Sequence, residues 1–212
     1  MTSDKIIYII IVLVVVFVSM VLHELMHGLT AYWLGDNTAK EHGRLTLNPI
    51  KHIDPFMTIL LPVIMILMGG PVFGGAKPVP FRPDKVKGGE WGAALVGIAG
   101  PLTNLILAFL CYGAIVVFNI YSGLVGEILY AGVMVNLGFF AFNILPIPPL
   151  DGSRVLYAIA PEGFQRVMSA IESAGLLVVF AIVLLLSQPL GMVLNAIINF
   201  VLKIFGMAFG LV

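Results

Sequence analysis

The chain has 212 residues, of which 60% are hydrophobic and 10% are charged, and its mean hydropathy is +1.08. This composition excludes an ordinary soluble domain and predicts a multi-pass membrane protein. Eleven basic residues balance eleven acidic residues, so the net charge gives no reason to expect nucleic acid as a partner. The single cysteine, Cys111, lies in an apolar run, where packing is the expected role and metal ligation the alternative.

The first apolar run extends from Ile6 to Leu34 and contains the sequence HELMH from His23 to His27. Histidines four positions apart lie on one helix face, so both imidazoles can bind one metal ion. Glu24 is then placed to act on a water molecule as a base, and this pattern predicts zinc-dependent peptide hydrolysis. Alternatively, the three side chains satisfy one another or form a proton relay, which explains their polarity but not their spacing. No Ala-x-Ala-like cleavage site precedes the motif, so we expect a retained helix.

The region after the first span predicts a small β-like loop region. Gly43 to Leu47 alternates between apolar and polar residues, as a half-buried strand does. Phe56 to Met68 is apolar but only about 13 residues long, which suits a re-entrant or interfacial segment better than a full crossing. Lys77 to Pro83 is stiffened by prolines and is either an edge that accepts an extended peptide or an ordinary surface loop.

Three further apolar regions follow. Trp91 to Gly126 is uncharged and is long enough for one span and a turn that begins at Asn119. Ile128 to Leu150 is the next uncharged run, and three prolines near its end unwind the helix. Ala174 to Val212 is interpreted as two closely connected helices, with one kinked helix as the alternative. We therefore expect an all-α polytopic membrane protein with roughly five transmembrane helices, forming a single domain over residues 1–212 (core 6–152, C-terminal helices 163–210).

The distribution of lysine and arginine predicts the orientation. Three of these residues lie between Gly35 and Pro55, four between Ala76 and Glu90, and two between Asp151 and Ser173, whereas the turn at 119–126 has none. If Phe56 to Met68 does not cross, the three basic segments share one side, which is expected to be cytoplasmic. The histidine motif and Asp151 then lie at the same face of the membrane.

A catalytic zinc ion usually has three protein ligands and an open position for water. Asp151 is a candidate third ligand because it ends an apolar span after a proline-broken segment and precedes Gly152. The alternative is that Asp151 caps the helix expected from Ser153 to Ala160, and the residues alone leave these roles balanced. Other acidic and histidine side chains are expected to be solvated or to lie in loops: Asp36, Asp54, Asp84, His42 and His52.

The HELMH motif, the sequence GPLTN from Gly100 to Asn104, and the segment from Asn143 to Gly152 together resemble the site-2 protease family of intramembrane zinc metalloproteases. The resemblance covers Ser19 to Gly152, and the short chain is similar to compact bacterial members without PDZ or CBS domains. It implies one Zn²⁺ ion per chain. The implied ligands are His23, His27 and Asp151, with Glu24 as general base, Asn143 holding the substrate backbone and Asn104 as a secondary polar group. For both asparagines, a helix-packing amide is the alternative.

The resemblance also implies a function and a location. The expected enzyme lies in the bacterial plasma membrane, with its active site towards the cytoplasm, and cleaves single-span membrane proteins within or near their transmembrane segments. Its expected partners are these substrates and the lipid bilayer. A metal-ion or proton transporter is an alternative, although neither inverted repeats nor polar residues spread along several spans are visible. An inactive zinc-binding scaffold of the same fold is another alternative, but such a scaffold would have no need of Glu24 as a base.

Overall fold

The computed structural model describes residues 3–60 and 75–211. Within these ranges the chain forms eight α-helices, joined by short turns of 3₁₀ helix at Pro49–His52 and Pro83–Lys85 and of π helix at Pro55–Leu60. The α-helices are α1 (Ser3–Trp33), α2 (Thr38–Glu41), α3 (Gly89–Phe118), α4 (Gly123–Asn143), α5 (Ser153–Ile159), α6 (Glu162–Ser173), α7 (Leu176–Leu185) and α8 (Ser187–Ala208).

Four of these helices, α1, α3, α4 and α8, are long and apolar enough to cross a membrane. Helices α6 and α7 form a fifth candidate in two parts that are bent by 88°. Large apolar side chains of α1, such as Ile10, Val14 and Val18, point away from the protein and are more than half exposed, as expected where a helix faces lipid. The predicted all-α polytopic fold is therefore confirmed.

The loop region between α1 and α3 differs in detail from the expectation. Residues 43–47 form turns and bends, and the described residues contain no strand. The reason lies partly with Arg44, which points inward and donates to the main-chain oxygens of Lys77 and Pro78, so a side chain rather than a ladder of main-chain bonds joins these segments. Most of the predicted segment from Phe56 to Met68 lies outside the described residues, as do residues 69–74.

The C-terminal region consists of two helices, as predicted, because α7 ends at Leu185 and α8 begins at Ser187. Pro189 lies in the first turn of α8, where its missing N–H interrupts no helical hydrogen bond. Helix α7 packs against the loop that follows α4, through Leu145, Leu150, Val179 and Val183. The C-terminal helices therefore support the loop that carries Asp151.

Small residues on α3 allow the other helices to approach it closely. Helices α1 and α4 both pack against α3, whose buried positions include Gly92, Ala93, Ala94 and Gly97. A Cβ atom at Gly97 would lie 2.8 Å from Cβ of Arg154 and 2.9 Å from the main-chain oxygen of Asp151. Glycine at this position therefore lets the start of α5 lie directly against α3, on the side where α1 also packs.

The expectation that Asp36 is solvated is wrong. Its side chain is fully buried, and its carboxylate accepts hydrogen bonds from the hydroxyl of Thr38 (2.5 Å), the amide of Thr38 (2.9 Å) and the amide of Arg82 (2.6 Å). Burial alone would raise the pKa of Asp36, but these donors stabilise the ionised form and lower the pKa below its usual value of 3.8. Asp36 thus joins the end of α1 to the chain before α3.

Replacement of Asp36 by asparagine is expected to destabilise the fold by about 1.5–3 kcal/mol at neutral pH, because an NH₂ group would replace an acceptor of buried main-chain donors. Since the folded-state pKa is lowered, the wild-type contribution is complete above about pH 4 and is lost as the pH falls through that lower pKa. Thermal unfolding in detergent between pH 7 and pH 3 measures both effects. Asp84→Asn is the matched control, because Asp84 pairs with Arg82 in solvent. Equal stabilities of the two variants would contradict the prediction.

Candidate metal centre

Three potential metal ligands meet where α1 faces the loop between α4 and α5. The Nε2 atoms of His23 and His27 are 3.0 Å apart. The Oδ2 atom of Asp151 lies 3.1 Å from Nε2 of His23 and 3.4 Å from Nε2 of His27. Both histidines are buried, and among the described residues this is the one group of three or more such side chains with its ligand atoms within 4.8 Å of one another.

Hydrogen bonds on the far side of each imidazole determine which nitrogen faces the cluster. Nδ1 of His27 lies 2.7 Å from the main-chain oxygen of Val96. Nδ1 of His23 lies 2.5 Å from the side-chain oxygen of Asn104, which is fully buried. Because both oxygens only accept, each Nδ1 carries the hydrogen, and each neutral imidazole directs the lone pair of Nε2 towards Asp151.

This donor set fits a zinc ion. Two imidazole nitrogens and a carboxylate oxygen face one another at 3.0–3.4 Å, an arrangement that a cation bound between them stabilises. Nitrogen and carboxylate oxygen are zinc ligands, and a ligating histidine commonly donates its other N–H to a carbonyl oxygen. His23, His27 and Asp151 can therefore hold Zn²⁺ and leave a fourth position open.

Asp151 does not adopt the alternative role of a helix cap. The N-cap of α5 is Gly152, and no side chain caps this helix end. The main-chain oxygen of Asp151 accepts a bond from the amide of Arg154, while its carboxylate points towards the imidazoles. In addition, the amide of Gly152 donates to the main-chain oxygen of Asn143 (2.7 Å), which closes the loop that presents Asp151.

Gly100 has a role that the sequence did not reveal. A Cβ atom at this position would lie 2.4 Å from Nε2 of His27 and 2.6 Å from Nε2 of His23. Zinc–nitrogen bonds are about 2.0–2.1 Å long, so any larger residue would occupy the space between the ligand atoms. The GPLTN sequence thus contributes a residue without a side chain, Gly100, beside the ligand atoms. One turn later it contributes Asn104, which accepts the hydrogen bond from Nδ1 of His23.

Glu24 is held by a main-chain donor from the proline-rich segment. The amide of Val79 donates to Oε2 of Glu24 at 2.8 Å. Val79 lies between Pro78 and Pro80, so it provides the sole N–H group of these three residues. No hydrogen bond to Oε1 of Glu24 is seen within the described residues, so that oxygen can accept a further hydrogen bond.

The segment that contains Val79 is fixed on α1. Buried Arg44 binds the main-chain oxygens of Lys77 and Pro78. A Cβ atom at Gly28, one residue after His27, would lie 2.7 Å from the side chain of Leu45 and 3.0 Å from that of Val79. The loop therefore lies directly over the motif, and the buried setting of Arg44 could not be inferred from a run of polar residues.

Asn143 lies at the base of the loop that carries Asp151, but its amide bonds within its own helix. Its Nδ2 atom donates to the main-chain oxygen of Phe139 at 3.1 Å, so its substrate-binding role stays a prediction. The two remaining histidines, as expected, lie outside the cluster. His42 and His52 bond to the main-chain oxygens of Thr38 and Thr46, respectively.

Comparisons with known proteins find relatives that are designated zinc metalloproteases. The chain is 41% identical over 210 residues to the "Putative zinc metalloprotease YwhC" of Bacillus subtilis, covering 92% of this chain and 91% of that protein. It is 34% identical to Rip2 of Mycolicibacterium smegmatis, which carries the same designation, over 81% of this chain and 65% of that protein. MJ0611 of Methanocaldococcus jannaschii, also so designated, is 31% identical over 69% of each chain. No solved structure matches the chain significantly.

The profile of Peptidase family M50 matches residues 119–186, a segment that includes Asp151 but not the histidine motif. The similarity to YwhC extends over nearly the whole chain and so includes both parts of the site. The apolar helices agree with a multi-pass membrane protein. The chain therefore belongs to peptidase family M50, the site-2 protease family, and is a membrane zinc metallopeptidase.

Proposed function

We propose that this protein hydrolyses peptide bonds within or near the transmembrane segments of single-span, membrane-tethered proteins, as in regulated intramembrane proteolysis. The observation that carries the proposal is the convergence of His23 and His27, on a helix apolar enough to cross a bilayer, with Asp151 in the loop that follows a second such helix. A peptidase site in this position favours substrates that are themselves embedded in the membrane. Family membership supports the peptidase chemistry independently.

In the proposed mechanism, His23, His27 and Asp151 hold one zinc ion per chain. When bound, zinc supplies Lewis-acid activation of a water molecule and of the scissile carbonyl. Glu24 accepts a proton from the attacking water through Oε1 and passes it to the leaving amine, while the Val79 amide holds its other oxygen. Asn143, once released from the Phe139 carbonyl, donates a hydrogen bond to the substrate backbone.

The proposed location is the bacterial plasma membrane, with the site towards the cytoplasm. The basic segment between Ala76 and Glu90 contacts the other two basic segments and the end of α1, which supports one common face for all three. The amide of Lys87 donates to the Leu34 oxygen at 2.8 Å, the amide of Lys77 donates to the His52 oxygen at 2.9 Å, and the guanidinium of Arg154 lies 5.7 Å from the ring centre of Phe81. Basic loops of membrane proteins are retained in the cytoplasm.

Thiol labelling in intact bacterial cells tests this orientation. In a Cys111→Ser background, Tyr121→Cys in the exposed turn after α3 is expected to react with a membrane-impermeant reagent. Lys85→Cys, in a basic segment, is expected to react only after the cells are permeabilised. The opposite pattern would contradict a cytoplasmic site.

The test of the activity combines metal analysis with cleavage of a panel of single-span proteins in liposomes. We expect about one zinc ion per chain, cleavage sites within or next to the transmembrane segments by mass spectrometry, and loss of cleavage after chelation that zinc restores. Cleavage of an unfolded soluble protein alone would contradict the intramembrane role. Zinc flux into the liposomes without any cleavage would favour a transporter instead.

Loss of the Val79 amide is expected to impair catalysis but not zinc binding. Val79→Pro removes the one N–H group that is seen to hold Glu24 among residues 3–60 and 75–211, and it roughly preserves side-chain volume. Because misplacement of a catalytic group by about 1 Å can cost 100-fold in rate, we expect a loss of about that size with about one zinc ion retained. Val79→Ala, which keeps the N–H, is expected to lose less. Equal losses in both variants would show that the side chain, not the amide, matters.

A further inference from the structure

We propose that Asn136, in the middle of α4, is a positioning residue for the metal centre and acts on His23 through Asn104. The inference rests on the proposed function, in which His23 is a zinc ligand. Asn136 lies on a different helix from both histidines and touches neither zinc nor substrate. Its role is to determine which nitrogen of His23 carries the hydrogen and how the ring is held.

The first step is the orientation of the Asn136 amide. Its Nδ2 atom donates to the main-chain oxygen of Gly132, one turn earlier in α4, at 2.8 Å. A carbonyl oxygen only accepts hydrogen bonds, so the NH₂ group must face Gly132 and the side-chain oxygen must face away from it. The main chain of α4 thereby sets the direction of the amide.

The second step transmits this direction to His23. The side-chain oxygen of Asn136 accepts a hydrogen bond from Nδ2 of Asn104 at 2.8 Å. The NH₂ group of Asn104 is thus already hydrogen-bonded to Asn136, and the side-chain oxygen of Asn104 is directed at Nδ1 of His23, 2.5 Å away. Nδ1 must then donate, which leaves the lone pair of Nε2 facing His27 and Asp151. The direction of one helical carbonyl therefore determines the tautomer of a ligand on another helix.

Burial strengthens the effect of this relay, the chain of hydrogen bonds from Asn136 through Asn104 to His23, on the tautomer of His23. Asn104 is fully buried, and Asn136 and His23 are 3% and 7% exposed, so bulk water cannot take the place of a missing partner. Without Asn136, the amide of Asn104 can rotate and direct its NH₂ group at Nδ1 of His23. That arrangement favours the other tautomer, in which Nε2 carries the hydrogen and points it into the ligand position. Loss of the hydrogen bonds that orient a metal-ligating histidine typically costs 10–100-fold in metal affinity.

A merely structural role makes a different prediction. An amide pair buried between helices can be replaced by apolar side chains of similar shape with little loss of stability. If Asn104 and Asn136 only pack α3 against α4, their replacement would change stability and leave zinc affinity as it was. A positioning role requires zinc affinity to fall and requires the effect of Asn136 to disappear when Asn104 is absent.

The experiment measures zinc affinity by competition with a chelator in the full-length protein in detergent. The variants are Asn136→Leu, Asn104→Leu and the double variant. Asn195→Leu is the matched control, because Asn195 is an exposed amide on α8. We expect a 10–100-fold loss for either single variant, no further loss in the double variant and no change in the control. The visible absorption of the Co²⁺-substituted protein is expected to change in the same three variants, since it reports on ligand geometry.

The outcomes separate this inference from the proposed function. Wild-type affinity in Asn136→Leu, or losses that add in the double variant, would overturn the relay and leave the metallopeptidase intact. A wild-type chain that binds no zinc would overturn the proposed function and the relay together. Should Asn136→Leu fail to assemble, Asn136→Ala removes the same donor and acceptor without adding volume. Wild-type zinc affinity in Asn136→Ala would likewise overturn the relay.

Discussion

Gly100→Ala is expected to abolish zinc binding while the helices stay assembled. The added methyl group would lie 2.4 Å and 2.6 Å from the Nε2 atoms of His27 and His23, within the volume that a metal ion bonded to both would occupy. The rings must therefore tilt away from the methyl group, which strains the bonds of their Nδ1 atoms to oxygens of α3 and moves the two Nε2 atoms out of reach of one ion. We therefore expect the zinc content to fall from about one ion per chain to a trace, and proteolysis to be lost with it.

Gly138→Ala is the matched control for this variant. Gly138 also lies inside a spanning helix, α4, but a Cβ atom there would meet nothing within 4 Å. It is expected to keep its zinc and to gain slightly in helix stability. Metal analysis and thermal unfolding of both proteins in detergent provide the comparison. Stoichiometric zinc in Gly100→Ala would show that the ion does not lie between the two histidines.

Glu24→Gln is expected to separate catalysis from metal binding. Glutamine has the same shape as glutamate, and its amide oxygen can still accept the bond from Val79. It cannot accept a proton, however, and loss of a general base costs about 10²–10⁴-fold in rate. Glu24 is not part of the three-residue ligand cluster, so zinc content is expected to stay near one ion per chain.

Single-turnover cleavage of a single-span substrate, together with metal analysis, measures both quantities for Glu24→Gln. Glu90→Gln is the control, because Glu90 is an exposed carboxylate in the first turn of α3. It is expected to cleave and to bind zinc as the wild type does. Undiminished cleavage by Glu24→Gln would exclude Glu24 as the base, and loss of zinc would indicate a role in ligation instead.

The sequence predicted those parts of the fold and site that depend on local spacing. The histidine pair is one helical turn apart, and the spanning helices follow from long uncharged runs, so both could be inferred without tertiary contacts. Asp151 could not be selected by such reasoning, because an aspartate before a helix is also a natural cap. The family resemblance favoured the ligand role, and the structure shows the carboxylate turned towards the imidazoles.

The features that the sequence did not reveal depend on contacts between distant segments. Gly100 resembles any glycine that allows helices to pack, and its proximity to the histidines arises when α3 packs on α1. Asp36 and Arg44 are charged residues in a polar region, yet both are buried against residues 77–82. Asn136 carried one visible signal, an amide within an uncharged run, but its partner on α3 becomes known only from the structure.

The separation of the proposed ligands along the chain also bears on biosynthesis. His23 and Asp151 are 128 positions apart, and the loop that carries Asp151 packs against the still later helix α7. A ribosome therefore delivers the histidine pair to the membrane long before the third ligand exists. With the proposed ligand set, a nascent chain that has not yet reached Asp151 holds an incomplete metal site, so we expect peptidase activity to arise only after the loop between α4 and α5 has been synthesised.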